Sequence, residues 1–496
     1  MPKVKKGQRK RPYQPKTRTG CLTCKSRSTG RVCDGYDALN DAMQPTLTMG
    51  PSEHPDIMPR AQQSFANFVH HTWPQLAGFF KSDFWDRIVL QAAHHEPTVR
   101  HAVVALGSCY GNATAQFARG HYNLAIKQLV DPNLNGIERS IDTYLISAVL
   151  FACFESMQGN HRMAISHIQN GVKLLSENVY DKDTGMLDCR KLGDMRRSNS
   201  FTSLEAYART LALSDSQASK IIADYQRPFI EANAFYSNIL FGDTTASFSS
   251  IEEAKSTFEY GACLFSGGLD AKISDDDVRL PRAPAEEQLS HMPKLMAKFW
   301  TAVHEVVLNK TRFTSPKEEL AAAALQISVL VTWISFEVDI QGGTSNPIQW
   351  DQFKWQLQKI LTLGERIIYL IPQTGRSSTD TASFCLESCY IIPIYAVASN
   401  CRDVTTRRRA IAILRSAWRQ EGLWNSFHAA SAAERIIQIE EIEMRKVQER
   451  NGKCLGLDPL SIRPLLQLDA NGGKLRYCTL GEQGIHTEVV EELFSW

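Results

Sequence analysis

Residues 138–157, Glu138-Arg-Ser-Ile-Asp-Thr-Tyr-Leu-Ile-Ser-Ala-Val-Leu-Phe-Ala-Cys-Phe-Glu-Ser-Met157, are almost wholly apolar from Ile141 onward. Gly159-Asn160 breaks the run, and a second segment follows with Ala164, Ile168, Val172 and Leu175 on one side. Spacings of three and four place those four side chains on one helix face. A long buried helix, a two-residue break and an amphipathic helix together predict an αα-hairpin. No fixed period recurs along the chain, so a repeat array is not expected.

The same pattern extends in both directions. Phe65, Phe68, Val69 and Trp73 recur at helical spacing until Pro74 stops them. Ser82 can cap a helix whose apolar face is Phe84, Trp85, Ile88, Val89 and Ala92. Pro97 suits the first position of the next, with Val99, Ala102, Val103, Leu106 and Tyr110 forming its face. Helical patterns resume at 201–213, 250–265, 286–310, 317–339, 349–371, 381–399 and 404–420, and a last amphipathic segment runs from Ala432 to Arg450. That segment is too short for a sustained coiled coil and is expected to pack on the body. Strands are scarce, with one hairpin expected near 474–480. The fold class is all-α, a large irregular body of packed αα-hairpins.

The apolar run from Ala321 to Phe336 is interrupted by Gln326, Ser328 and Thr332 and reads as a buried helix rather than a membrane span. The N-terminus has no apolar core of the kind a secretory signal needs. Nine cysteines, at 109, 153, 189, 263, 385, 389, 401, 454 and 478, are scattered through the body, as reduced thiols serving as small core hydrophobes are. An intracellular compartment is expected.

The chain carries 55 basic and 53 acidic residues, a net charge of +2 that hides an asymmetry. Residues 1–31 hold eleven Lys or Arg and no acidic residue, leaving 44 basic and 53 acidic residues, a net of −9, in the other 465 positions. A cationic arm on an acidic body points to a polyanion partner, nucleic acid first, or to nuclear import. Residues 1–18 are polar, basic and proline-punctuated, and are expected to be mobile. Residues 37–60, with Pro45, Pro51, Pro55 and Pro59, read as a linker. The expected domains are therefore a basic segment at 1–36, a flexible linker at 37–60, a helical body at 61–450 and a C-terminal extension at 451–496. Residues 177–200 end in Arg190, Lys191, Arg196, Arg197 and Ser198 and read as a flexible or regulated loop.

Enzyme chemistry has little support. The sequence contains no glycine-rich phosphate loop, nucleophile-elbow serine or zinc-protease helix signature. His94, His95 and His101 cluster around Glu96, but adjacent histidines diverge and His101 lies beside the apolar face, so surface or boundary positions are expected rather than metal ligation. Asp275, Asp276 and Asp277 lack the glycine and terminal glutamate of a calcium loop. No catalytic residue and no bound cofactor are assigned in the body.

At the front, Cys21 and Cys24 form a C-x-x-C, the spacing at which one turn aims two thiolates at one zinc. Lys16, Arg18, Lys25, Arg27 and Arg31 frame the pair. The segment Thr19-Gly20-Cys21-Leu22-Thr23-Cys24-Lys25 resembles the opening of the fungal binuclear zinc-cluster transcription factors. Ser28-Thr29-Gly30-Arg31-Val32-Cys33-Asp34-Gly35-Tyr36 resembles their closing segment. In the body, Phe79-Phe80, Phe84-Trp85, the run from Val89 to Glu96 and Arg100 to Leu106 are similar to the start of that family's helical regulatory region. Arg415 to Glu441, with Glu421-Gly422-Leu423-Trp424, is similar to its end.

The resemblance implies a nuclear regulator of genes transcribed by RNA polymerase II, with zinc as cofactor, DNA as partner, and homo- or heterodimers but no membrane association. It also implies that Cys21, Cys24 and Cys33 are metal ligands, matching the first, second and sixth cysteines of the cluster. Lys16, Arg18, Lys25, Arg27 and Arg31 are the implied DNA contacts. The sequence departs from the family in passing from Lys25-Ser26-Arg27 straight to Ser28, where the family places three further cysteines. Six thiolates fill eight tetrahedral positions on two zincs because two sulfurs bridge, and three cannot. One zinc with a fourth ligand from water or His54 is what such a set can offer, and structural sites are closed by four protein ligands. A helical interaction protein descended from the family, acting through protein partners, is the alternative reading.

Overall fold

The structure, a computed structural model, describes residues 57–80, 82, 84–109, 115–130, 140–179, 248–255, 257–258, 296–305, 307, 313–340, 347–371, 383–416, 418–451, 465–469, 472–480 and 486–494. The basic segment, most of the linker, residues 180–200, the helical pattern at 201–213 and the aspartates at 275–277 lie outside the described residues.

The expected αα-hairpin is present. Helix α6 (Ile141–Met157) begins where Ser140 Oγ accepts the Thr143 amide at 3.3 Å, and most of its side chains are buried. Gly159 ends it with φ 76°, the left-handed conformation that a residue with a Cβ adopts only under strain. The Asn160 side chain donates to Glu155 Oε2 at 2.8 Å across the turn, and α7 (His161–Val179) returns along α6.

Before this hairpin lie α1 (Ile57–Asn67), the short α2 (Trp73–Leu76), α3 (Val89–His95), α4 (Pro97–Ser108) and α5 (Ala115–Val130). Helix α4 is the hub, packing on α1, α3, α5 and α6. It approaches α1 so closely that a Cβ built on Gly107 would stand 1.9 Å from the Ser64 carbonyl oxygen, and Ser108 Oγ donates to Ser64 Oγ at 2.9 Å. Only glycine permits that backbone contact.

The later helices are α8 (Pro316–Ile340), α9 (Lys354–Leu370), α10 (Ile391–Asn400), α11 (Val404–Ser416) and α12 (Ser426–Asn451). They pack as α8 on α9, α10 on α11 and α11 on α12. The window Pro316–Ser335 is long and apolar enough to cross a membrane, but 61% of it is buried inside the protein, and Leu320 to Gln326 are all core residues. One continuous apolar cluster runs from Phe79 and Phe80 through Phe299, Leu330, Ile360 and Ile394 to Ala433.

Three boundaries differ from the sequence expectation. The run expected to stop at Pro74 continues to Leu76, with Pro74 in the first turn of α2. The pattern at 381–399 predicts helix throughout, but Ser383–Cys385 form strand β1 and the helix starts only at Ile391. Pro393 sits in the first turn of α10, where its missing N–H costs no intrahelical bond. The helix expected to reach residue 420 stops at Ser416, and Arg419–Glu421 form β2, parallel to β1 and antiparallel to β3 (Trp424–Asn425). Sheet pairing between distant segments outweighs local helical preference here. The C-terminal hairpin is larger than expected: β4 (Leu465–Asp469), β5 (Gly472–Leu480) and β6 (His486–Phe494) form an antiparallel meander, joined to α12 by Arg435 and Glu492. The body is nonetheless overwhelmingly helical, and the all-α assignment stands.

Candidate functional site

The front-segment candidates, Lys16, Arg18, Cys21, Cys24, Lys25, Arg27, Arg31 and Cys33, together with His54, lie outside the described residues. The chemistry of the donor set can still be judged. Three thiolates do not fit a two-zinc cluster that uses six.

Within the body the polar chemistry converges where β1, β2 and the start of α10 meet. Cys385 and Cys389 Sγ and a Glu421 carboxylate oxygen all lie within 4.8 Å of one another, fully buried, the one such trio of metal-capable groups among the described residues. Arg419 enters the same space from β2. Its Nε donates to Glu421 Oε1 at 2.9 Å and its Nη2 to Cys385 Sγ at 2.9 Å. The guanidinium also lies 4.8 Å from the centroid of the Phe79 ring and 5.9 Å from that of Tyr390.

The second carboxylate oxygen, Glu421 Oε2, accepts the backbone amides of Cys389, Tyr390 and Ile391 at 2.8, 3.0 and 3.1 Å. These are orphan donors at the start of α10, and a carboxylate there is favoured by both hydrogen bonding and the helix dipole. Glu421 thus caps a helix that begins thirty residues earlier in the chain. Gly422, at φ 56°, turns the strand and donates its amide to the Cys385 carbonyl at 2.8 Å.

Burial works hardest on the Arg419 charge and opposes it. The coulombic pull of Cys385, Glu421 and Cys389 outweighs that opposition and holds its pKa well above the ordinary arginine value. The Cys389 thiol pKa is pushed well up, first by the neighbouring Cys385 thiol and then by burial. These groups do not fit a metal ion: both carboxylate oxygens are engaged, and a guanidinium already supplies the cation beside Cys385. The arrangement is a clamp that fixes β2 to β1 and to α10. Around it, Phe79 comes from the segment after α2, and Gln420 Nε2 donates to the Ser156 carbonyl at the end of α6 at 3.3 Å.

The histidine cluster is distributed differently from the sequence expectation. His94 and His95 are exposed as expected, but His101 is buried, its Nδ1 2.9 Å from Nδ1 of His121 on α5. Burial lowers both pKa values to about 4, with Arg100 adding to the effect at His101 and His101 at His121, so both rings are neutral near pH 7. Next to this pair, Tyr122 stacks on Phe154 and shares a hydrogen bond with His167 Nε2. The rings fasten α4, α5, α6 and α7 together.

Sequence reasoning alone does not single out Arg419, Glu421, Cys385 and Cys389 as a group. The signals present are the four-residue cysteine spacing and the Glu421-Gly422-Leu423-Trp424 segment, which stands out only as part of the family-like ending.

No protein-family model matches the chain, and no solved structure does either. Over 438 residues the chain is 24% identical to the aspercryptin biosynthesis cluster-specific transcription regulator of Emericella nidulans, an alignment covering 75% of this chain and 68% of that protein. What the chain is similar to, along most of its length, is a fungal transcription regulator.

Proposed function

We propose that the chain is a nuclear transcription regulator of the fungal zinc-cluster type, acting on genes transcribed by RNA polymerase II. The observation that carries this reading is the similarity to a transcription regulator over three quarters of the chain. That length cannot be supplied by a small DNA-binding module, so the helical body itself is shared. The basic segment supports it: eleven cations without one carboxylate in 31 residues give an electrostatic footprint for a phosphate backbone. In this reading Lys16, Arg18, Lys25, Arg27 and Arg31 contact DNA, and the body receives signals or partners.

The cysteine count favours a second reading. With Cys21, Cys24 and Cys33 alone, nothing in the sequence closes a metal site that would hold a recognition helix in the major groove. On this reading the protein regulates through partner proteins and touches DNA only electrostatically.

Salt-titrated binding of the purified full-length chain to random DNA and to candidate promoter fragments separates the two. Sequence-selective binding at physiological salt supports the first. Weak binding with a steep salt dependence and no selectivity supports the second. No affinity for DNA at low salt would contradict a DNA role altogether. Sequencing the transcript across codons 25 to 28 reads directly whether the message joins Arg27 to Ser28 as written.

A further inference from the structure

The Arg419–Glu421 clamp accounts for its two charged members, but it does not explain why two cysteines are held side by side within it. Cys385 Sγ donates to the Glu387 carbonyl at 3.0 Å, and Cys389 Sγ approaches the same oxygen at 3.6 Å. The two sulfurs lie within 4.8 Å of each other. A three-residue loop, Leu386-Glu387-Ser388, carries the chain between them, and Glu387 and Ser388 are partly exposed. The sulfurs therefore sit one layer beneath the surface, at 0% and 1% exposure. The guanidinium of Arg419 stands 2.9 Å from Cys385 Sγ, beside the sulfur that would carry negative charge in a nucleophilic attack.

We propose that Cys385 and Cys389 are a reversible dithiol–disulfide pair, oxidised by a hydroperoxide small enough to reach beneath the 386–388 loop. In the first step the Cys385 sulfur attacks one oxygen of hydrogen peroxide. The S–O bond forms, the O–O bond breaks, and the thiol proton leaves with the departing hydroxide as water. In the second step the Cys389 sulfur attacks the Cys385 sulfur. The S–S bond forms, the S–O bond breaks, and the departing hydroxide takes the Cys389 proton as a second water. Two thiols lose two electrons and one peroxide becomes two waters. A dithiol reductant reverses the change through thiol–disulfide exchange.

The bond would tie the end of β1 to the residue whose amide Glu421 accepts, so oxidation state is written into the join between the sheet and α10. Both S–H groups facing the Glu387 carbonyl are lost over the two steps. Burial slows the first step relative to an exposed thiol. The second step is intramolecular between sulfurs held within 4.8 Å of each other, so the sulfenic acid is short-lived. Oxidation of the pair does not depend on whether the chain binds DNA.

The protein carries its own control in Cys153 on α6, which is equally buried and lies outside the 385–389 pair and its Arg419 contact. Full-length reduced protein is exposed to hydrogen peroxide for a series of times, its remaining thiols are alkylated after denaturation, and the tryptic peptide from Ser377 to Arg402 is followed by non-reducing mass spectrometry. The expected result is a 385–389 disulfide forming about tenfold or more faster than any loss of the Cys153 thiol, and reversed by dithiothreitol. Cys389→Ser should abolish the disulfide and leave Cys385 as a sulfenic acid trapped by dimedone. Circular dichroism on the variant confirms that it folds. If Cys385 and Cys389 are oxidised no faster than Cys153 in the wild-type protein, or if they link to other cysteines instead of each other, the proposal is overturned.

Discussion

The Arg419 guanidinium meets the Glu421 carboxylate at 2.9 Å from two positions away on the same strand, and both side chains are closed off from solvent. Residues i and i+2 of a strand face one side, so β2 places the pair together without any help from a turn. The register of β2 on β1, with Arg419 opposite Ser383 and Glu421 opposite Cys385, then sets both charges against the start of α10.

Removing one partner of a buried ion pair leaves the other charge uncompensated. Arg419→Leu and Glu421→Leu should each lose about 3–5 kcal/mol of unfolding free energy in urea titrations. The glutamate variant should be the worse of the two, because three amides at the start of α10 lose their acceptor as well. The double variant should recover part of the loss. Single variants costing under about 1 kcal/mol would show that the clamp does not hold the fold.

The close approach of α1 and α4 gives a second prediction. Gly107→Ala places a methyl against the Ser64 backbone and should destabilise by about 2 kcal/mol or more, since neither helix can yield without disturbing the core. Gly120→Ala on α5 meets nothing within 4 Å and should be neutral or stabilising by up to about 1 kcal/mol, through helix propensity alone. Thermal melts of the two variants side by side test the contrast.

Much of the body is legible in the sequence. Runs such as Ile141 to Phe154 and Leu320 to Leu330 declare buried helices because their apolar content is continuous and long, and Gly159 marks the turn between α6 and α7. What cannot be read locally is pairing. The segment Ser383-Phe384-Cys385 has too few residues to show a strand period, and its partner strand lies far along the chain. For the same reason Cys385 and Cys389 read as ordinary core thiols, since their significance depends on Arg419 and Glu421 arriving from elsewhere. His101 reads as a boundary residue because its partner, His121, belongs to the next helix. The charged front segment is legible as chemistry, through its cations and cysteine spacing, rather than as fold.

Acid should weaken the protein through the His101–His121 pair. Their folded pKa values of about 4 lie below the ordinary 6.5, so the unfolded chain binds protons first as pH falls. Stability from this source is complete above about pH 6.5 and declines between about 6.5 and 4, by an amount on the order of a few kcal/mol for the pair. A His101→Gln, His121→Gln double variant should show a shallower decline over that interval. Equal slopes in wild type and variant would place the acid sensitivity elsewhere.

Phosphate binding by the front segment should show in salt dependence. Replacing Lys16, Arg18, Lys25, Arg27 and Arg31 by Ala should flatten the plot of log K against log salt by about 0.9 for each phosphate left unneutralised on duplex DNA. The stability of the helical body in urea should not change. An unaltered slope would remove these five residues from the DNA interface.

The most direct test of the regulatory assignment is genome-wide chromatin immunoprecipitation of the tagged full-length chain, compared in the same cells with the five-alanine variant. The proposed function predicts enrichment at promoters over an untagged control, falling several-fold in the variant. Enrichment that survives the five substitutions would favour recruitment by partner proteins. Absence of promoter enrichment by the wild-type chain, expressed and folded, would contradict the account.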